Sequence, residues 1–84
     1  MEYKVLIKLF VPEIDETYEF YIPVNKFVGD ISVLLTSVVR ELSNVYPVRE
    51  NALLCNRITG QIYPKDYLIR QTNIRNGTEL VLLW

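Results

Sequence analysis

Asn76-Gly77-Thr78-Glu79-Leu80-Val81-Leu82-Leu83-Trp84 decides how the chain reads. Asn-Gly is a strong turn dipeptide, because glycine takes a positive φ freely and asparagine tolerates one. The apolar run behind it has the length of a strand rather than a helix. A strand this apolar belongs in the interior of a sheet, so the rest of the chain must supply neighbours on both sides and a layer to cover it.

The opposite end supplies the first neighbour. Residues 3–11 alternate, with Tyr3, Val5, Ile7, Leu9 and Val11 on one face and Lys4, Leu6, Lys8 and Phe10 on the other. Pro12-Glu13-Ile14-Asp15-Glu16 has turn chemistry. Residues 17–24 alternate again, with Tyr18, Phe20, Ile22 and Val24 together, which predicts an antiparallel hairpin. Pro23 places the second strand at a sheet edge, where its missing N–H is harmless.

The period then changes. Over residues 28–45, Val28, Ile31, Leu35, Val38 and Leu42 recur at steps of three and four, and Leu34 and Val45 widen the stripe. That spacing predicts an amphipathic helix lying on the sheet. Asp30 suits its first turn, Asn25 is the candidate upstream cap, and Pro47 stops it. Residues 52–55 read as a short apolar strand, 56–60 as a turn with Gly60 at positive φ, and 61–63 as a very short strand. Residues 67–74 read as an irregular or 3₁₀ segment anchored by apolar side chains. The order is strand, strand, helix, strand, short strand, strand. The two most apolar strands, first and last, are expected side by side and parallel at the centre, because a long crossover separates them. The expected fold class is α+β: a mixed sheet of four to five strands packed on one helix.

Composition bounds the function. Eighty-four residues, half of them apolar, make one domain with a feasible core over residues 1–84. The net charge of −1 argues against nucleic acid and against a polybasic membrane-surface mode. Apolar runs of four or five residues are far short of the ~20 that span a bilayer, so no membrane insertion is expected. The N-terminus has no signal-peptide pattern, and the one cysteine, Cys55, fits a reducing compartment. The expected localisation is cytoplasmic. With no histidine there is no ready general base. Cysteine and acids show no metal spacing, and Gly29, Gly60 and Gly77 are isolated, so no phosphate loop forms. No catalytic residue, metal site or cofactor site can be named, and the chain is expected not to be an enzyme.

With these motifs quoted, a resemblance can be stated. The element order resembles ubiquitin over nearly the whole chain, as does the run Tyr67-Leu68-Ile69-Arg70-Gln71-Thr72-Asn73-Ile74 before the last strand. Ile74-Arg75-Asn76-Gly77-Thr78-Glu79-Leu80-Val81-Leu82 resembles the I-x-N-G-x-x-L-x-L ending of YukD/EsaB-type ubiquitin-like proteins of Gram-positive type VII (ESX-like) secretion. The resemblance implies a ubiquitin-like β-grasp and a non-conjugating, protein-binding adaptor that is a cytosolic accessory of secretion. The sequence has no Gly-Gly tail after Gly77, so conjugation and sulfur transfer are not expected. A modifier or sulfur carrier whose tail is missing, and a β-grasp oligomerisation domain forming homo-oligomers, are the alternatives.

Strand parity gives the candidate docking surface. If Val5, Ile7, Leu9, Leu80, Leu82 and Trp84 face the helix, then Leu6, Phe10, Val81 and Leu83 face out. The ubiquitin-like pattern implies Leu53 in and Leu54 out. The expected protein-binding patch is therefore Leu6, Leu54, Val81 and Leu83, bordered by Lys4 and Lys8, with Phe10 and Tyr21 as extensions.

Overall fold

The computed structural model describes residues 3–44 and 52–84. Alternation organises its first hairpin. β1 (Lys4–Val11) and β2 (Glu16–Pro23) pair antiparallel in register from Lys4↔Pro23 to Val11↔Glu16. Between them Pro12–Ile14 makes a 3₁₀ turn, closed by Asp15 in the left-handed region at φ 52° with its N–H on the Pro12 carbonyl. Val5, Ile7, Leu9 and Val11 are buried, as the period of two requires. Ile22 is buried beside them, and the stacked rings of Tyr18 and Phe20 pack against the same core.

α1 (Val28–Ser43) covers that face. Its buried residues are Val28, Ile31, Ser32, Leu35, Thr36 and Val39. This corrects the expected stripe: Leu34 and Leu42 are exposed, Val38 is half-buried, and Ser32 and Thr36 take the interior places. Hydroxyls are tolerated there because each finds an acceptor within the helix. Ser32 Oγ donates to the Val28 carbonyl at 2.9 Å, and Thr36 Oγ1 to the Ser32 carbonyl at 2.8 Å. The helix closes on Asn44 in the left-handed region at φ 60°. The expected roles of Val45 in the stripe and Pro47 as the stop lie outside the described residues.

No side chain caps the helix start, so Asn25 does not do what its position suggested. Backbone carbonyls from a distant loop do it instead. The Val28 N–H donates to the Tyr67 carbonyl at 2.8 Å and the Gly29 N–H to the Lys65 carbonyl at 3.0 Å. Ile69 and Arg70 N–H groups return bonds to the Lys26 and Val24 carbonyls, both at 2.9 Å. Gly29 eases this approach, since a Cβ there would meet Lys65 Cβ at 3.2 Å and its carbonyl oxygen at 3.3 Å, and the loop would have to give by a few tenths of an ångström. The 3₁₀ turn Ile69–Gln71 follows, with Ile69 fully buried.

β3 (Leu53–Asn56) and β4 (Glu79–Leu83) complete a sheet of order β2-β1-β4-β3. β4 runs parallel to β1, with Leu9 opposite Leu80, and β3 runs antiparallel to β4, with Leu54 opposite Leu82. β2 is an edge strand, as Pro23 required. The expected short strand at 61–63 is a single bridge, Cys55↔Ile62. The architecture is the α+β β-grasp: a mixed four-stranded sheet on one helix. Leu80 and Leu82 face the core and Trp84 packs against it, as expected.

One expected parity is reversed. Leu54 is 1% exposed and lies in the core, while Leu53 is 38% exposed. Two adjacent leucines in a four-residue strand carry no alternation of their own, so pairing with β4 decides which points in. Leu54→Ala should therefore cost about 2–5 kcal/mol through the cavity it leaves. Leu53→Ala should cost under about 1 kcal/mol. Urea unfolding of the two variants checks this, and equal losses would contradict the assigned faces.

Candidate functional site

The expected site residues other than Leu54 lie on the sheet's outer face, and its rows follow from the register. Phe10 pairs with Val81, Val81 with Cys55, and Cys55 with Ile62. Partners across a sheet share a face. These four positions therefore form one row, about 14 Å across at the usual strand spacing. Two residues along, Leu83 pairs with Leu53 and adds a second apolar row beside the first. The result is a band of Phe10, Val81, Cys55, Ile62, Leu83 and Leu53. Ile62 is 57% exposed, Leu53 and Leu83 are exposed, Phe10 and Val81 are half-buried, and Cys55 is buried.

A charged row bounds the band on one side. Glu19 pairs with Lys8 and Lys8 with Glu79. Arg57 extends the row: its N–H donates to the Glu79 carbonyl at 2.9 Å, and its guanidinium lies 3.8 Å from the Glu79 carboxylate. The same guanidinium sits over the Phe10 ring, 4.5 Å from its centroid. Beyond the charges, Leu6 pairs with an exposed Tyr21, and Lys4 pairs with Pro23.

The structure thus divides the expected patch. Val81 and Leu83 lie together in the band, and Lys8 borders it. Leu6 is four residues from Phe10, about 13 Å along the strand, with the charged row between them. Lys4 is farther still and does not border the band. Leu54 is in the core, and its expected place is taken by Leu53. Cys55, Ile62 and Arg57 are additions to the expected set. Ile62 and Arg57 enter through the Cys55↔Ile62 bridge and the turn after β3, and neither contact has a local sequence signature.

Cys55 sits between Val81 and Ile62 in the first row. Burial pushes its thiol above the ordinary range, because the thiolate loses solvation. That suits an apolar floor rather than a nucleophile. Among the described residues no group of three or more His, Cys, Asp or Glu could hold a metal ion. No described helix is long and apolar enough to cross a membrane.

No protein-family model matches the sequence, and no curated protein matches it. Solved structures do. The chain matches the ubiquitin-like domain of the Mycobacterium tuberculosis type VII secretion system protein EccD1 at a TM-score of 0.73 and 11% identity, covering 100% of both chains. The fold is ubiquitin-like. A chain of the MycP5-free ESX-5 inner membrane complex matches at a TM-score of 0.78 and 16% identity over 96% of this chain, which spans 21% of that one. A chain of the toluene 4-monooxygenase HD complex with 4-bromobenzoate matches at a TM-score of 0.77 and 10% identity, covering 96% of this chain and 98% of that one. At these identities the likeness concerns the fold.

The raised thiol gives a test of the ubiquitin-like sheet's outer face. An unfolded Cys55 ionises in the ordinary thiol range while the folded one stays protonated to higher pH. Its contribution to stability is complete below that range and is lost as pH rises through the folded value. Urea midpoints from pH 7 to 10.5 should fall more steeply for the native protein than for Cys55→Ser. Alkylation by iodoacetamide at pH 8 should be at least about tenfold slower folded than in urea. Equal rates would place the thiol in open solvent.

Proposed function

We propose that this chain is a non-conjugating ubiquitin-like adaptor that binds protein partners. In this reading it serves in the bacterial cytosol as an accessory component of type VII secretion, in the manner of the YukD/EsaB-type proteins. The band on the outer sheet face carries the reading. Contiguous exposed apolar rows rimmed by charge are the usual signature of a docking surface. Phe10, Val81, Ile62, Leu53 and Leu83 supply apolar burial, and Lys8 supplies orientation at the rim. Leu6 and Lys4 form a separate and smaller contact beside Tyr21. The chain performs no chemistry of its own.

The secretion assignment is supported by likeness to the EccD1 ubiquitin-like domain over its whole length and to part of an ESX-5 inner membrane complex chain. The segment of residues 74–82 supports the narrower YukD/EsaB reading.

Leu53→Asp combined with Ile62→Asp tests the surface without touching the core, because both side chains are exposed. The double variant should melt like the native protein yet recover type VII components at least about tenfold less well in co-purification from the host. Undiminished recovery would remove the band from the interface. Deleting the gene should reduce export of the system's substrates, and unchanged export would remove the secretion assignment.

A further inference from the structure

Arg57 is held at both ends, yet among the described residues its guanidinium donates no hydrogen bond. Its backbone lies in a turn fixed by Asn56, whose Oδ1 accepts the Ile58 and Thr59 N–H groups at 2.9 and 3.0 Å, and whose carbonyl accepts the Gly60 N–H at 2.9 Å. Its N–H is tied to β4 through the Glu79 carbonyl. Its guanidinium rests on the Phe10 ring. Glu79, at 3.8 Å, is close enough to attract it but beyond hydrogen-bond reach, and Lys8 stands across from the same carboxylate in the register. Among the described residues the Arg57 side chain donates no hydrogen bond, and it is 42% exposed. A planar fork of five donors is thus held over an aromatic ring, where the charged row meets the apolar band.

Such a fork matches an oxyanion, and the apolar band beside it favours the carboxylate of a peptide segment over a phosphate. Guanidinium and carboxylate pair through two parallel N–H···O bonds, and the 42% exposed side chain leaves the fork accessible for that pairing. Because the arginine is already ordered, little rotamer freedom is lost on binding. We propose that Arg57, held over Phe10, is a carboxylate receptor, and that the partner segment carries an acidic side chain flanked by apolar ones. The carboxylate meets Arg57, and the apolar neighbours cover Val81, Ile62, Leu53 and Leu83. This rests on the reading of the band as a docking surface. The cations of the row favour this occupant over a basic one: among the described residues neither the Lys8 ammonium nor the Arg57 guanidinium donates a hydrogen bond, and Glu79, 3.8 Å from Arg57, is the one acid within ion-pair distance of either.

The test uses two blocked peptides as probes, one with a central glutamate between leucines and one with glutamine in its place. Each is titrated into isotopically labelled protein and followed by NMR. The glutamate peptide should shift the Arg57 Nε–H, the Phe10 ring and the methyls of Leu53, Ile62 and Leu83, and should bind about tenfold more tightly than the glutamine peptide. Arg57→Ala, and to a large extent Arg57→Lys, should erase that preference while weak apolar binding of both peptides persists. Circular dichroism confirms that the variants remain folded. Equal binding of the two peptides to native protein, or a preference that survives Arg57→Ala, overturns the receptor and leaves the band as a docking surface. Binding of neither peptide overturns the receptor and counts against the band as well.

Discussion

Three backbone groups of β1 hold the two ends of the described chain together. Asn76 Oδ1 accepts the Leu6 N–H at 2.8 Å, the Gly77 N–H donates to the Leu6 carbonyl at 2.8 Å, and the Lys8 N–H donates to the Thr78 carbonyl at 3.0 Å. Gly77 reaches this geometry at φ 86°, where a side chain would be strained. The turn therefore clasps the middle of β1 before β4 begins, and β4 starts in parallel register beside it. Parallel strands need a long crossover, and here β2, the helix, β3 and the irregular segment are that crossover. Moving the clasp by one residue would send Leu80 and Leu82 outward and Val81 and Leu83 inward.

The same register writes the outer face. Because Lys8 lies opposite Glu79 and Phe10 opposite Val81, charge and apolar surface fall into separate rows rather than mixing. β3 inherits its alignment from β4, which carries Cys55 and Leu53 to the band and Leu54 to the core. Ile62 then joins through its bridge to Cys55. Stability and the docking surface thus share one cause: burial of the inner rows holds the outer rows in line.

A second set of long-range bonds positions the helix. Residues 65–70 exchange backbone hydrogen bonds with residues 24–29, so the helix start is capped by the loop that also leads towards the clasp. Tyr63 is buried, its hydroxyl donating to Asn73 Oδ1 at 2.7 Å and accepting from Asn56 Nδ2 at 3.0 Å. A buried hydroxyl with both partners adds directionality to a mostly apolar core. It also ties the turn that carries Arg57 to the segment entering β4.

Periodicity by itself determined most of this architecture. Alternation over residues 3–11 and 17–24, the helical spacing from Val28, the edge signal of Pro23, and the turns at Gly60 and Asn76-Gly77 are local consequences of φ/ψ preference and burial, and each appears where the residues demand it. The β1–β4 pairing was legible because only a central place suits two strands so apolar. The helix was legible in extent but not in face: a row of Leu34, Val38 and Leu42 satisfies the same spacing as the buried row, and hydroxyls that bond to their own helix can replace leucine inside. The site was less legible still. Val81, Leu83 and Lys8 followed from parity. Leu53, Ile62 and Arg57 did not, because the face of Leu53 depends on register with β4 and the other two arrive through a bridge and a cation–π contact between distant segments. Local pattern decides which way a strand's side chains alternate. Which set meets the core is decided only when strands from opposite ends of the chain come into register.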